Sequence, residues 1–373
     1  MRGPATPRLK VAIVAPSLGI LGGQAVQANR LLEGWRDDPA VDAWLVPVDP
    51  LAPGPLRHLQ RMKYVRTAVT QLLYWPVLFG QLRRADVVHV FSASYLSFVL
   101  APWPAVRVAK AMGKPVVLNY HSGEAPDHLQ RSALARRTLR AADANIVPSA
   151  FLVDVFSCFG IPARAIPNII DGSRFRFRER RPLSPRLLST RAFEPHYNVA
   201  CTLRAFQRVQ ARWPEATLTL AGAGSGRAAL EALAVELGLR HVTFAGAVPP
   251  ERMPELYAAA DIFVQTPDLD NMPLSLLEAY ASGTPAVSTA AGGVPAMLRD
   301  GVEGLLAPPG DDEAVANAVL RLLAEPDLAG SLARSARAAC ASYTWEATRD
   351  LWLDAYRSVL PRGRTAAAPV PAS

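Results

Sequence analysis

Beyond Lys114 the chain has no lysine at all, and over its whole length it has only three cysteines and no clean apolar run. Each scarcity excludes something. Cys158, Cys201 and Cys340 lie far apart, without the paired spacing of a zinc or redox site, so three reduced, partly buried thiols are expected. The longest apolar runs, 68–80 and 87–106, are interrupted by Gln71, Pro76, His89, Pro102 and Pro104, which argues against a spanning helix. The opening MRGPATPR has no apolar core of a signal peptide. A cytoplasmic protein is expected, with the inner face of the membrane as an alternative address.

What is present suits an enzyme: half of the residues are apolar and 373 residues are comfortable for two domains. The net charge of +8 is unevenly shared. Residues 1–182 hold 24 basic against 12 acidic residues, and residues 183–373 hold 16 against 20. The basic half suits an anionic partner. Its densest stretch, Arg57, His58, Arg61, Lys63 and Arg66, precedes Leu72, Leu73, Tyr74 and Trp75 and then Arg83 and Arg84. That order fits a membrane-surface helix, and equally a solvated helix face. No basic-and-aromatic motif or helix-turn-helix signal accompanies the charge, so nucleic acid is not an expected partner.

Residues 261–295, DIFVQTPDLDNMPLSLLEAYASGTPAVSTAAGGVP, organise the rest. An apolar strand, 261–265, leads into a loop holding Asp268 and Asp270. Pro273 suits the first position of a helix that carries Glu278 and ends at Gly283. A second buried strand, 285–288, runs into Ala290-Ala291-Gly292-Gly293. Strand, helix, strand is a parallel crossover, whose ligands bind at the carboxyl ends of the strands. Asp270, the helix start at Leu274–Ser275, and Gly292–Gly293 should therefore meet in one crevice. Free amides and a positive dipole end suit a phosphate, and two acids eight positions apart suit hydroxyls beside it. A phosphate flanked by hydroxyls describes a sugar nucleotide.

Around this stretch strands alternate with helices. In the first half, 10–16, 41–48, 86–91, 115–120 and 144–148 read as buried strands, with Gly19, Gly22 and Gly23 in the loop after the first and a helix from Gln24 to about Trp35. After the charged, proline-bearing stretch 171–185, taken as the domain boundary, the pattern restarts. Strands 186–190, 216–221 and 242–246 follow, with a Gly222–Gly226 turn. Two α/β halves, 9–180 and 184–344, are expected to face each other across a cleft. A helix over 345–360 crosses back to the first, and 361–373 form a disordered tail.

These residues resemble glycosyltransferase family 4, retaining enzymes of the GT-B fold, with two Rossmann-like parallel-sheet domains. The likeness runs from the Gly22–Gly23 loop to the Trp345 helix. Its most specific part is DNMPLSLLEAYASGTPAVSTAAGGVP, an acid, seven residues, a glutamate and then a Gly-Gly loop. AIPNIID at 165–171, LAGAGSGRAAL at 220–230 and VTFAGAVPPERMPELYAAADIFV at 242–264 support it.

The resemblance implies a role for each matching position. Glu278 holds the donor's ribose hydroxyls and Asp270 lies beside the transferred sugar. Leu274 and Ser275 supply helix-start amides to the diphosphate, and Arg191 clamps it. Gly22 and Gly23 approach the phosphates and acceptor, Gly222 lies in the donor domain's glycine turn, and Ala247–Val248 meet the nucleobase. His121 faces the sugar from the first domain. A sugar would pass from a nucleoside diphosphate, UDP favoured, to the hydroxyl of a glycan, lipid-linked or small-molecule acceptor, with no metal and no further cofactor. Peripheral contact with an anionic membrane goes with the basic half.

Two departures stand out. Asp270 replaces the family's usual glutamate. In Leu188–Phe206, the lysine that partners the arginine in most relatives falls at His196 or Tyr197. The Arg191-x-x-Glu194-Pro195-x-Tyr197-Asn198 pattern resembles a subgroup sharing this change. Arg191 and the dipole of the helix at Leu274 would then bear the leaving-group charge.

Other features suggest rival chemistries. Asp268-Leu269-Asp270 spells the D-x-D metal motif of another glycosyltransferase fold but lies inside a different pattern. A nicotinamide enzyme is suggested by Gly222, Gly224 and Gly226, yet the third glycine is misplaced and no acid follows the next strand. A sugar-nucleotide epimerase or hydrolase, or a non-catalytic sugar-nucleotide-binding subunit, would keep the fold and change the chemistry. His89 is balanced between a structural and a functional role, whereas His58, His128 and His241 read as structural or surface residues.

Overall fold

Strands buried along nearly their whole length are found in both halves of the chain, as expected of parallel sheets covered on both faces. The computed structural model describes residues 7–19, 22–54, 58, 60, 62 and 65–361. The tail beyond Pro361, the start of MRGPATPR, and Arg57, Arg61 and Lys63 lie outside the described residues.

The chain forms two Rossmann-like units. In the first, strands β1 (Leu9–Ala15), β2 (Val41–Pro47), β3 (Val87–Ser92), β4 (Val116–Tyr120), β5 (Ala144–Val147) and β6 (Arg164–Ala165) make one parallel sheet in the order β2-β1-β3-β4-β5-β6. Between them run helices α1 (Gly23–Trp35), α2 (Val65–Leu82), α3 (Tyr95–Leu100), α4 (Pro102–Ala111), α5 (Ala125–Arg131), α6 (Ala133–Ala141) and α7 (Ala150–Cys158). The strand order reverses between β1 and β3. Gln24 Nε2 bridges that switch point by donating to the Ser92 carbonyl at 3.2 Å.

In the second unit, β7 (Arg186–Ser189), β8 (Thr217–Ala221), β9 (Val242–Gly246), β10 (Ile262–Gln265), β11 (Ala286–Thr289) and β12 (Leu305–Ala307) form a parallel sheet in the order β12-β11-β10-β7-β8-β9. The intervening helices are α8 (Val199–Arg212), α9 (Arg227–Glu236), α10 (Met253–Ala259), α11 (Leu274–Ser282), α12 (Asp312–Ala324) and α13 (Pro326–Ala339). Because successive side chains point to opposite faces, Leu187 joins a core with Phe206 and Val319, while Leu188 joins another with Tyr257 and Tyr280. The order reverses between β7 and β10, so the loops leaving those two strands open onto one crevice.

Two boundaries depart from the sequence expectation. The second unit begins at Pro167, ahead of the expected 171–185 segment. From Pro167 to Arg186 the chain is tied down by polar bonds rather than by a repeating apolar face. Asn168 Nδ2 donates to the Met272 carbonyl at 2.9 Å, and the Ile170 amide to the Tyr343 carbonyl at 2.7 Å. Arg180 is buried, donating to the carbonyls of Tyr257, Ala260 and Ser282. Asp261 accepts from Arg178 and Arg186, each at 2.8 Å. The second departure is the short segment Ser149–Phe151, which groups with the second unit.

Helix α14 (Trp345–Ser358) belongs to the first unit from Thr348 onward. Its Tyr356 hydroxyl bonds His89 Nδ1 at 2.9 Å, and Trp352 stacks on that imidazole with centroids 4.8 Å apart. Arg349 pairs with Asp38 at 2.5 Å. His89 is thus a core residue.

Candidate functional site

Arg191 and Asp270 leave adjacent strands at the switch point of the second sheet. Arg191 follows β7 and Asp270 lies in the loop after β10. Arg191 Nη2 pairs with Asp270 Oδ2 at 2.5 Å, with 10% and 11% of the two side chains exposed. Arg191 Nη1 donates to Ser275 Oγ at 3.1 Å. The other Asp270 oxygen accepts the Asn271 amide at 2.8 Å. A guanidinium, a carboxylate and the first turn of α11 therefore form one polar cluster.

A buried relay fixes Ser275. Its hydroxyl donates to Gln265 Oε1 at 2.9 Å, and Gln265 Nε2 donates to Ser288 Oγ at 3.0 Å. On the other side, Tyr257 donates to the Ser275 carbonyl and shares a bond with Thr190 Oγ1, each at 3.0 Å. Burial raises the Tyr257 phenol well above its ordinary range, and the carboxylate of Glu278, to which it is also hydrogen-bonded, adds to the rise. Glu278 thus lies one turn along α11 from Ser275, coupled to the same tyrosine. Gln265, Tyr257 and Thr190 were missed by sequence reasoning. A glutamine ending the strand after three apolar residues in DIFVQ was the available signal, because a buried amide needs partners.

Helix α11 starts differently from expectation. Pro273 is its N-cap, with φ −67° and ψ 122°, rather than its first helical residue. It has no side-chain acceptor to offer, so the first-turn amides are not capped by it. Gly283 closes the helix in the left-handed conformation, φ 68°.

Glycines let the loops of the cluster approach. A Cβ on Gly292, whose φ is +53°, would stand 2.1 Å from the Asp270 carbonyl oxygen, and one on Gly293 2.2 Å from that of Asn271. The Gly293 amide donates to the Asp270 carbonyl at 3.0 Å. Gly222 lies under Arg191, where a Cβ would come 2.0 Å from the Arg191 carbonyl oxygen. Its role in the fold is to let the β8–α9 turn pack against the backbone that presents Arg191.

The segment that lacks the lysine is filled otherwise. The Tyr197 ring lies beneath the Arg191 guanidinium, 4.0 Å from its carbon. The His196 carbonyl accepts the Asp268 amide at 2.9 Å, and Asn198 Nδ2 donates to Asp268 Oδ1 at 2.9 Å. Glu194 accepts the amide and hydroxyl of Ser225, bonds that lower its pKa. The whole 194–198 segment is therefore fastened to the two loops flanking it.

The remaining site residues of the sequence reading belong to other segments of the chain. Ala247, exposed, and Val248, half-buried, follow β9 at the sheet's edge. Gly22 is the N-cap of α1 and Gly23 its first residue, both in the first unit. His121 follows β4 there; its amide donates to the Ser92 carbonyl at 3.1 Å and its ring stacks on Phe91 with centroids 5.1 Å apart. Burial pushes the His121 imidazole down to about 4, which keeps it neutral near pH 7, and its Nε2 has no hydrogen-bond partner among the described residues. Cys158 is exposed, and Cys201 and Cys340 are buried.

Comparison with known proteins follows the same division of the chain. Residues 21–174 match the sequence model of Glycosyltransferase Family 4, and residues 174–339 that of Glycosyl transferases group 1. The chain is 25% identical over 314 residues to sulfoquinovosyl transferase SQD2 of Arabidopsis thaliana, covering 76% of this chain and 59% of that protein. It therefore spans less than two thirds of that relative's length. Among solved structures it resembles the sucrose-phosphate synthase of Thermosynechococcus elongatus, with a TM-score of 0.75 and 22% identity over 94% of this chain and 98% of that one. Anabaena HepE in complex with UDP-glucose gives 0.73 and 19%, over 93% and 99%. At these identities the structural likeness is one of fold, and the fold is GT-B. The sequence matches support glycosyltransferase family 4 as the family of this chain.

Proposed function

We propose that the chain is a retaining glycosyltransferase that moves a sugar from a nucleoside diphosphate to an acceptor hydroxyl in polysaccharide, glycolipid or glycoconjugate synthesis. The observation that carries this reading is the cluster of Arg191, Asp270 and Ser275 at the switch point of the second sheet, with Glu278 one turn along the same helix. A diphosphate fits a guanidinium beside an uncapped helix start, and ribose hydroxyls fit a carboxylate farther along. UDP-sugars are the first donors to test, because HepE, of like fold, was solved with UDP-glucose.

In the proposed reaction the acceptor oxygen attacks the anomeric carbon on the face from which the diphosphate departs. The bond between that carbon and the phosphate oxygen breaks, its electron pair goes to the diphosphate, and the acceptor proton ends on the same leaving group. Arg191 and the amides of Leu274 and Ser275 stabilise the charge as it develops. Asp270 orients sugar hydroxyls. The work assigned to the protein is positioning and charge stabilisation, with no metal ion assigned a part.

The test is donor turnover by the purified chain and by Arg191→Ala and Glu278→Ala. Both variants are expected to keep the fold, seen by circular dichroism, and to lose sugar transfer. Unchanged rates in both would remove the assignment of this crevice.

A further inference from the structure

The loop that carries Asp270 runs from Thr266 to Pro273, between β10 and α11, and contains Pro267 and Pro273. It lies outside the sheet and the helix, so its polar groups are satisfied by other segments. The three residues before Pro273 are each held by a different one. The Asp270 carbonyl accepts the Gly293 amide at 3.0 Å. Asn271 Oδ1 accepts the Ser149 hydroxyl. The Met272 carbonyl accepts Asn168 Nδ2 at 2.9 Å, and Met272 Sδ accepts the Asn168 amide at 3.3 Å. Ser149, Asn168 and Asn271 are all more than nine-tenths buried. Ser149 precedes α7 and Asn168 follows β6, 122 and 104 positions ahead of their partners, and both group with the second unit.

We propose that Ser149 and Asn168 are positioning residues of the Arg191–Asp270 cluster: they hold loop 270–272 so that the Asp270 carboxylate stays on Arg191. What that position does for a ligand rests on the reading of the crevice as a diphosphate site. The Asp270 carboxylate bonds the Asn271 amide, at 2.8 Å, and Arg191, so its place follows that of the loop. The Gly293 amide alone would leave the loop free to pivot about the Asp270 carbonyl. Anchors on the next two residues remove that freedom. Asn168 spends its main-chain and side-chain amides on one residue. An aspartate there would set a carboxylate against the Met272 carbonyl, and a leucine would leave that buried carbonyl without the bond. Ser149 does the same service for Asn271 with a single hydroxyl, which is the smallest group that can donate from that position.

The test is titration with UDP, GDP and ADP, together with amide hydrogen exchange, in the full chain carrying Ser149→Ala, Asn168→Ala or both, each also combined with Asp270→Asn. Loosening the loop lets the carboxylate leave Arg191, so the double variant is expected to bind the nucleotide that wild type binds roughly threefold more tightly. In the Asp270→Asn background the same substitutions should change that affinity by less than about twofold, because the charge they free is already gone. The Gly293 amide, bonded to the Asp270 carbonyl, should exchange faster in the double variant. Bonds that serve only the fold predict the opposite sign: weaker nucleotide binding, by the same factor with and without the Asp270 charge. That result would overturn the proposal, as would affinity and exchange equal to wild type in a folded double variant. Melting temperatures are read alongside, and if the double variant unfolds early, Ser149→Ala, which leaves the Met272 carbonyl bonded, carries the test. Binding of none of the three nucleotides by wild type or Asp270→Asn would remove the diphosphate reading, and Gly293 exchange would then decide alone whether the two side chains hold the loop.

Discussion

Arg191 and Asp270 neutralise each other across the switch point of the second sheet, 2.5 Å apart and about nine-tenths buried. The carboxylate is therefore placed where it would weaken the field met by a diphosphate bound as proposed. Removing that charge while keeping the shape should strengthen binding of the nucleotide alone. Asp270→Asn is expected to bind UDP about tenfold more tightly than wild type in calorimetry, a difference of roughly 1.4 kcal/mol, while sugar transfer falls. Weaker UDP binding by this variant would show that the pair does not restrain Arg191.

Tyr197, one of the two positions at which a second cation is expected, lies against the first one instead. Its ring lies 4.0 Å from the Arg191 guanidinium carbon. Tyr197→Phe keeps the aromatic face and should bind UDP as wild type does. Tyr197→Ala should weaken binding about tenfold, in keeping with a half-buried cation–π contact of about 1 kcal/mol and the loosened arginine. Equal affinities for both variants, measured by the same titration, would deny the ring this part.

Gly222 bears on Arg191 through the backbone. A methyl group there would stand 2.0 Å from the Arg191 carbonyl oxygen, with Phe193 close behind at 3.2 Å. Gly222→Ala must push the β8–α9 turn away from the strand end. Chemical denaturation should report a loss of roughly 2 kcal/mol or more, accompanied by weaker nucleotide binding. Wild-type stability would mean that the turn yields freely.

The histidines of the first unit predict how stability responds to acid. Burial pushes His89 down to about 3, with repulsion from His121 adding to it, and burial pushes His121 down to about 4. Unfolded histidines titrate near 6.5, so below that pH the unfolded chain binds protons that the folded chain does not. The stability contributed by keeping both rings neutral is complete above about pH 6.5. It is lost as the pH falls toward 4 and then 3. The loss amounts to several kcal/mol, because each tenfold difference in proton affinity between the unfolded and the folded ring is about 1.4 kcal/mol. The double variant His89→Phe, Tyr356→Phe removes one titrating ring together with its hydroxyl partner and should flatten the slope between pH 6 and 4. An unchanged slope in urea titrations across that range would contradict the assignment.

The sequence made some of this legible and concealed the rest for identifiable reasons. The crossover β10–α11–β11 could be read from DIFVQ, from Gly283 and from the apolar 285–288 run, because strand burial and a left-handed helix end leave local signatures. The pairing of Arg191 with Asp270 could not, since it depends on β7 lying beside β10, a sheet order that no local pattern encodes. Stretch 171–185 looked like a boundary because its order rests on arginines bonding distant carbonyls and Asp261. The role of Gly222 was equally hidden: a glycine turn that suggests ligand approach in the sequence lies against the Arg191 backbone in the fold.

The central claim is that the second unit binds a nucleoside-diphosphate sugar through Arg191, the start of α11 and Glu278. It is tested most directly by melting the wild-type chain, Arg191→Ala and Glu278→Ala against UDP-, GDP-, ADP- and dTDP-sugars. A ligand that binds only the folded state raises its melting temperature. A rise is predicted for wild type with one nucleotide class, UDP first, and its loss in both variants. No rise with any of these donors, or an undiminished rise in both variants, would contradict the claim.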